Sequence, residues 1–301
     1  MPDRPETLPH DCCPVCRTAG APVYHERSTG EVFHRCRECG LLFIDNSTPD
    51  NPYPVEALSV ESQETGFASD YRSNKLWNYA RSHVRWIISY LERLGVPASP
   101  RALSVGCAFG HDLRELGDLG WQVLGVDHDK GFAVRAKNQH GVEVRTGFFE
   151  SVEVHGQWDL VVLASVLPYL SGLDKVMRKV KSLVKPGGYM FITVREIDWC
   201  EPAQVLEYSM NRHARQYFPS SSLERLCKEY GFDPVVLDRF AMRLPWSTRL
   251  ANANKLPILA KPLQAIANVH FRIWNALGGD AFRPAQANRA QQLRLLARRT
   301  G

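Results

Sequence analysis

Between positions 101 and 194 the chain alternates short apolar runs with stretches of helical spacing, and this constrains the fold more than any other feature. Residues 102–105, 121–126, 142–145, 158–164 and 189–194 read as strands, and 111–119, 130–140 and 173–184 as helices. The run 158–164 is rich in Val and Leu with no polar alternation, as in a strand buried on both faces. Strand–helix–strand units in series predict a mostly parallel sheet with helices on both faces. Ligands of such sheets bind at the carboxyl ends of the strands.

Two features at those ends point to a nucleoside-type cofactor. After the first strand comes a glycine-bearing turn, Gly106-Cys107-Ala108-Phe109-Gly110, opening into a helix. Small residues there let backbone approach a ligand, and helix N-terminal N–H groups face it. Asp127 closes the second strand, 21 positions after Gly106, where a carboxylate can accept both hydroxyls of a ribose.

The segment Ala102-Leu103-Ser104-Val105-Gly106-Cys107-Ala108-Phe109-Gly110 resembles the first motif of class I S-adenosylmethionine-dependent methyltransferases, usually V-L-D-V-G-C-G-x-G. Leu124-Gly125-Val126-Asp127 is similar to their second motif, and Trp158-Asp159-Leu160-Val161-Val162 to their fourth-strand motif. Leu183-Val184-Lys185-Pro186-Gly187-Gly188 resembles the turn before their fifth strand, and residues 218–232 the stretch after the core. The resemblance implies a Rossmann-like, doubly wound, mostly parallel seven-stranded α/β sheet and S-adenosylmethionine as cofactor. It implies that Gly106, Cys107, Ala108 and Gly110 line the methionine part, Asp127 holds the ribose, and His128, Phe148 and Phe149 lie near the adenine. Core packing is the alternative for the two phenylalanines. Ala164 and Ser165 would flank the sulfonium. His213 and Tyr169 are the candidate catalytic residues, with a surface histidine and a packing aromatic as their plainer readings. His111 could cap its helix or meet the cofactor.

The chain departs from the pattern in places. Ser104 stands where an aspartate is usual, so the turn is expected to lack its bracing carboxylate. Ala108 replaces a glycine, and Ser165-Val166-Leu167-Pro168-Tyr169 lacks the histidine and acid common at the active-site rim. These changes imply a different substrate or a lost activity.

Toward the N-terminus, Cys13-Pro14-Val15-Cys16 and Cys36-Arg37-Glu38-Cys39-Gly40 form two C-x-x-C knuckles separated by nineteen residues. Four thiolates so spaced suit tetrahedral zinc in a closed, structural site, and metal binding would supply much of the folding energy of so small a module. Cys12 could substitute for Cys13. The expectation is a zinc ribbon over 1–45, a linker over 46–69, a cofactor-binding core over 70–243 led by a helix over 71–94, and a helical insertion plus a last strand over 244–301. The insertion, through Leu263, Ile266, Trp274 and Leu277, could wall a substrate pocket, meet a lipid-linked substrate or mediate a dimer contact.

The formal charge is +5, too small to argue for a polyanionic partner. Residues 1–11 have no apolar core of a signal peptide, and no run approaches the roughly 20 apolar residues of a membrane span. A cytoplasmic protein with reduced cysteines is therefore expected. The leading reading is methyl transfer to a small molecule: a sugar, glycan intermediate or secondary metabolite. The alternatives are an RNA or protein methyltransferase that recognises its target through the ribbon, and a non-catalytic cofactor-binding protein.

Overall fold

The structure is a computed structural model describing residues 9–25, 31–44, 75–95, 100–198, 214–242, 282–284 and 292–301. The expected linker, the candidate base His213 and the insertion over 244–279 lie outside these residues.

Two sheets organise the described chain. The smaller contains β1 (Gly20–His25), β2 (Val32–Cys36), β3 (Leu42–Ile44) and β9 (Gln216–Tyr217), all antiparallel. The larger contains β4 (Arg101–Val105), β5 (Gln122–Asp127), β6 (Val144–Thr146), β7 (Trp158–Ala164), β8 (Val184–Arg195), β10 (Phe232–Met242), β11 (Phe282–Pro284) and β12 (Gln292–Arg299). Its order is β11-β10-β12-β8-β7-β4-β5-β6. Strands β4 to β8 pair in parallel, and β12 runs against both β8 and β10. The doubly wound, mostly parallel sheet is thus present, and the seven expected strands gain a short edge strand, β11.

Helices cover both faces. On one, α1 (Lys75–Leu94) and α2 (His111–Asp118) set Val84, Ile87, Leu91 and Leu116 against Ala102, Leu160, Val162 and Phe191. On the other, α4 (Leu173–Leu183) and α5 (Ser220–Glu229) pack Val176, Met177, Val180, Leu223 and Leu226 against Leu103, Val161, Leu163 and Ile192. The helix α3 (Lys130–His140) fits its sequence signals. Asp129 caps it by accepting from the N–H groups of Gly131 and Phe132, and Gly141 ends it at φ +69°.

One boundary differs from expectation. The segment Lys185-Pro186-Gly187-Gly188 is not a turn before a strand but part of β8, as a bulge. Trp158 pairs with Val184 and Leu160 with Tyr189, so extra residues loop out of β8. Gly187 supplies the required φ of +75°.

Candidate active site and metal centre

The chain turns from one side of the large sheet to the other between β4 and β7. In open sheets of this kind ligands bind outside the carboxyl ends of the strands at this point, bordered by the loops that leave β4, β5 and β7. On the β4 side, Gly106, Ala108 and Gly110 all have left-handed backbone, at φ +64°, +45° and +71°. A Cβ on Gly106 would stand 2.5 Å from Val166 Cγ2, so that glycine lets the two loops touch. Ala108 adopts the same conformation without being glycine. Its N–H donates to Asp127 Oδ2 at 2.8 Å, which holds the turn.

Asp127 thus braces the turn. Its other oxygen accepts from the Asp129 N–H at 3.0 Å and has His128 Nδ1 3.4 Å away, while Oδ2 keeps a lone pair for a further donor. Burial pushes its carboxyl above the usual range. A carboxylate does lie beside Ser104, supplied by the helix and not by the strand. Asp112, in the first turn of α2, accepts from Ser104 Oγ at 2.5 Å. The aspartate two residues beyond Gly110 was the sequence signal for this contact. The Cys107 thiol is buried with Leu113, Ala136 and Val142, leaving its backbone as the part able to meet a ligand. His111 does not cap α2, whose N-cap is Gly110. Its buried ring meets the His140 ring edge-on at 5.0 Å, and burial lowers its pKa to about 4, so it is a neutral core histidine.

Past β6, the Gly147 N–H donates to the Asp127 carbonyl at 2.9 Å and fixes the next loop beside β5. The two phenylalanines there part company. Phe149 is 3% exposed and packs in the core with the Lys179 ammonium 4.8 Å from its ring centre, whereas Phe148 is 38% exposed. Phe148 and His128 stack, centroids 5.6 Å apart and planes 15° from parallel. His128 Nε2 is buried with no hydrogen-bond partner among the described residues. An aromatic ledge with an orphaned ring nitrogen, next to a carboxylate, fits a nucleoside.

On the β7 side, Ala164 is half-buried and Ser165 exposed, with Ser165 at φ +57°. The Ser165 N–H donates to both the carbonyl and the hydroxyl oxygen of Thr193, each at 3.0 Å. Tyr79, on α1, places its Oη 2.8 Å from Ser165 Oγ. Sequence reasoning missed Tyr79, because the apolar spacing that marks α1 carries no signal for a hydroxyl at its start. It also missed Glu196, the first residue after β8. This side chain is fully buried; Oε1 accepts from the Asp198 N–H at 2.9 Å, and Oε2 has no partner among the described residues. Burial pushes its pKa up to about 6. Tyr169, in the short helical turn Leu167–Tyr169, packs with Phe33, Ile197, Ala214 and Tyr217.

The four expected cysteines converge. The Sγ atoms of Cys13, Cys16, Cys36 and Cys39 all lie within 4.8 Å of one another, and Cys12 is not among them. Three contacts span 3.2, 3.6 and 3.8 Å. Thiolates about 2.3 Å from a tetrahedral zinc stand roughly 3.8 Å apart, so the group fits that ion. The module is joined to the large sheet's surroundings. Strand β3 pairs with β9, the Ser221 hydroxyl donates to the Cys39 carbonyl at 2.9 Å, and Arg17 pairs with Asp174 at 3.0 Å. The Gln216 side chain in β9 donates to the carbonyls of Leu167 and Leu170, at 2.9 and 3.2 Å.

A family model described as a methyltransferase domain matches residues 77–237. Ubiquinone biosynthesis O-methyltransferases are among the relatives. That of Acinetobacter baumannii is 27% identical over 148 residues, covering 46% of this chain and 59% of that protein. That of Albidiferax ferrireducens is 28% identical over 115 residues, covering 35% and 45%. The chain spans about half the length of the curated relatives it matches. Among solved structures, a SAM-dependent methyltransferase from Thermotoga maritima aligns with TM-score 0.50 and 14% identity over 79% of this chain and 99% of that one. A chain from the complex between the Haloferax volcanii Trm112 methyltransferase activator and a methyltransferase aligns with TM-score 0.54 and 14% identity over 80% and 97%. These two show likeness of fold.

Proposed function

The chain belongs to the methyltransferase domain family, and on that premise we propose that it transfers a methyl group from S-adenosylmethionine to a small-molecule acceptor. The observation that carries this reading is the braced turn at the switch point: three left-handed residues tied through the Ala108 N–H to Asp127, at the carboxyl end of β5. Gly106, Cys107, Ala108 and Gly110 would meet the methionine part through backbone. Asp127 would accept from the ribose through the remaining lone pair of Oδ2, and Phe148 and His128 would face the adenine. When bound, the cofactor supplies a methyl carbon on a positively charged sulfur, a good leaving group. Ala164 and Ser165 would bound that methyl, and much of the rate enhancement would come from holding the acceptor in line with it.

Ubiquinone relatives act in the biosynthesis of a small molecule, which supports that acceptor class, and the net charge of +5 does not favour a polyanion. Among the described residues no helix is long and apolar enough to cross a membrane. Cys13, Cys16, Cys36 and Cys39 would hold one zinc ion with no coordination site left open, a structural role. Tyr169 and His213 stay proposed as groups on the acceptor side, as do the ribbon, linker, core and insertion boundaries and a cytoplasmic location.

Calorimetric titration with S-adenosylmethionine and S-adenosylhomocysteine tests the reading. Micromolar binding of both is expected. Asp127→Asn, which exchanges one acceptor oxygen for a donor, should weaken both at least about tenfold. Unchanged affinity in this variant would overturn the assigned cofactor site.

A further inference from the structure

Four polar groups meet at the carboxyl ends of β7 and β8, and counting their protons fixes what Ser165 can do. Tyr79 Oη lies 2.5 Å from Gln292 Oε1, 2.8 Å from Ser165 Oγ and 3.2 Å from Thr193 Oγ1. An amide oxygen only accepts, so the single phenol proton lies on the Gln292 contact. The Ser165 contact, if it is a hydrogen bond, then takes its proton from Ser165. Thr193 Oγ1 already accepts the Ser165 N–H, and its own proton can go to Tyr79 or to Ser165 Oγ, 3.1 Å away. In every arrangement the only proton of Ser165 is spent inside the cluster, on Tyr79 at 2.8 Å or on Thr193 at 3.1 Å, and at least one lone pair of its exposed Oγ is unspent. The left-handed backbone at Ser165, held by the doubly shared N–H, fixes this presentation.

We infer that Ser165 Oγ is a fixed hydrogen-bond acceptor at the crevice that aligns an acceptor substrate bringing its own proton, a hydroxyl or an amine, with Tyr79 as the positioning residue that sets this polarity. The inference rests on the methyltransferase reading and names the nucleophile class within it. A serine free to donate would pair with the nucleophile's lone pair and compete with attack. A serine that only accepts takes the nucleophile's O–H or N–H and leaves the lone pair aimed elsewhere. With the cofactor bound, that lone pair would form the bond to the methyl carbon as the carbon–sulfur pair returned to sulfur, and the proton hydrogen-bonded to Ser165 Oγ would leave the methylated product for bulk water. Gln292 completes the arrangement from β12, so a strand near the chain's end helps to polarise a serine on β7.

The test compares two ligands that differ where the methyl group would be. Sinefungin carries an amine there, and S-adenosylhomocysteine carries neither amine nor methyl. An accepting Ser165 Oγ favours the amine. The ratio of the two affinities, measured by calorimetry on the full chain, should fall about tenfold in Ser165→Ala. Tyr79→Phe leaves Thr193 as the one remaining partner for the serine proton and should lower the ratio in the same direction, by less than Ser165→Ala. The double variant should fall no further than Ser165→Ala, because both act through one oxygen. A general loosening of the site would weaken both ligands alike and leave the ratio unmoved. Ratios within about twofold of the unaltered protein in both single variants would overturn the inference while cofactor binding stands. Failure of the unaltered protein to bind either ligand would instead remove the methyltransferase reading, and this inference with it.

Discussion

Ala108 is a residue under conformational load. An L-residue with a side chain held at φ +45° costs about 1 kcal/mol, tolerated here because its N–H is tied to Asp127. Ala108→Gly should therefore raise stability by up to about 1 kcal/mol in chemical denaturation, although glycine loosens unfolded chains. A loss of stability would show that the alanine methyl makes a packing contribution larger than the strain. Glu196 stores an opposite kind of tension. Its folded pKa of about 6 lies above the ordinary 4.5, so between those values the folded protein binds the extra proton and stability falls as pH rises. Above pH 6 the penalty is complete. Glu196→Gln keeps the oxygen that accepts from Asp198 and removes the charge. It should stabilise the protein by about 2 kcal/mol at pH 7.5 and by less than about 0.5 kcal/mol at pH 4.5. Equal effects at both pH values would mean the carboxylate is not the source.

At the scale of elements, the two-residue strand β9 carries more than its length suggests. The Gln216 amide serves the carbonyls of Leu167 and Leu170 on one side, while β9 pairs with β3 on the other. Gln216→Ala would strand two carbonyls and should cost about 2–3 kcal/mol, with faster amide exchange through residues 167–170. Unaltered exchange there would show that the β7 loop holds its shape without β9. No sequence pattern reveals such a strand, since two residues have no period. The elements that were legible have local causes: Asp129 and Gly141 bracket α3, and the unbroken apolar run of β7 marks a buried strand. The bulge in β8 was misread because Pro-Gly-Gly signals a turn equally well in a loop or inside a strand. The acid beside Ser104 was not legible either. Ser104 and Asp112 are eight residues apart in sequence and meet only once α2 folds back over β4.

Across the whole molecule, the cysteine centre and the large sheet share one apolar core: Cys13, Val15, Cys36 and Leu41 belong to the same buried cluster as Leu163, Phe218 and Leu223. The zinc proposal therefore predicts more than a local effect. Elemental analysis should find one zinc per chain, and a strong chelator should lower the melting temperature of the entire fold and open residues 167–170 to exchange. Melting of the N-terminal module alone, with the rest unmoved, would mean that the two parts are energetically separate. Cys36→Ser should mimic the chelator. The paired C-x-x-C knuckles were readable because ligand chemistry fixes their spacing, whereas the docking of the module was not, because it depends on residues about 170 positions away.

That separation also bears on how the protein is made. Strand β3 ends at Ile44, and its neighbour β9 begins at Gln216. A ribosome adding about 5–20 residues per second takes roughly 10–30 s to cover that distance. Throughout that interval the growing chain carries its cysteine hairpins with one sheet edge bare. The small sheet is thus completed only after most of the core that follows it has been made, and until then its β3 edge is open to pairing with other nascent chains.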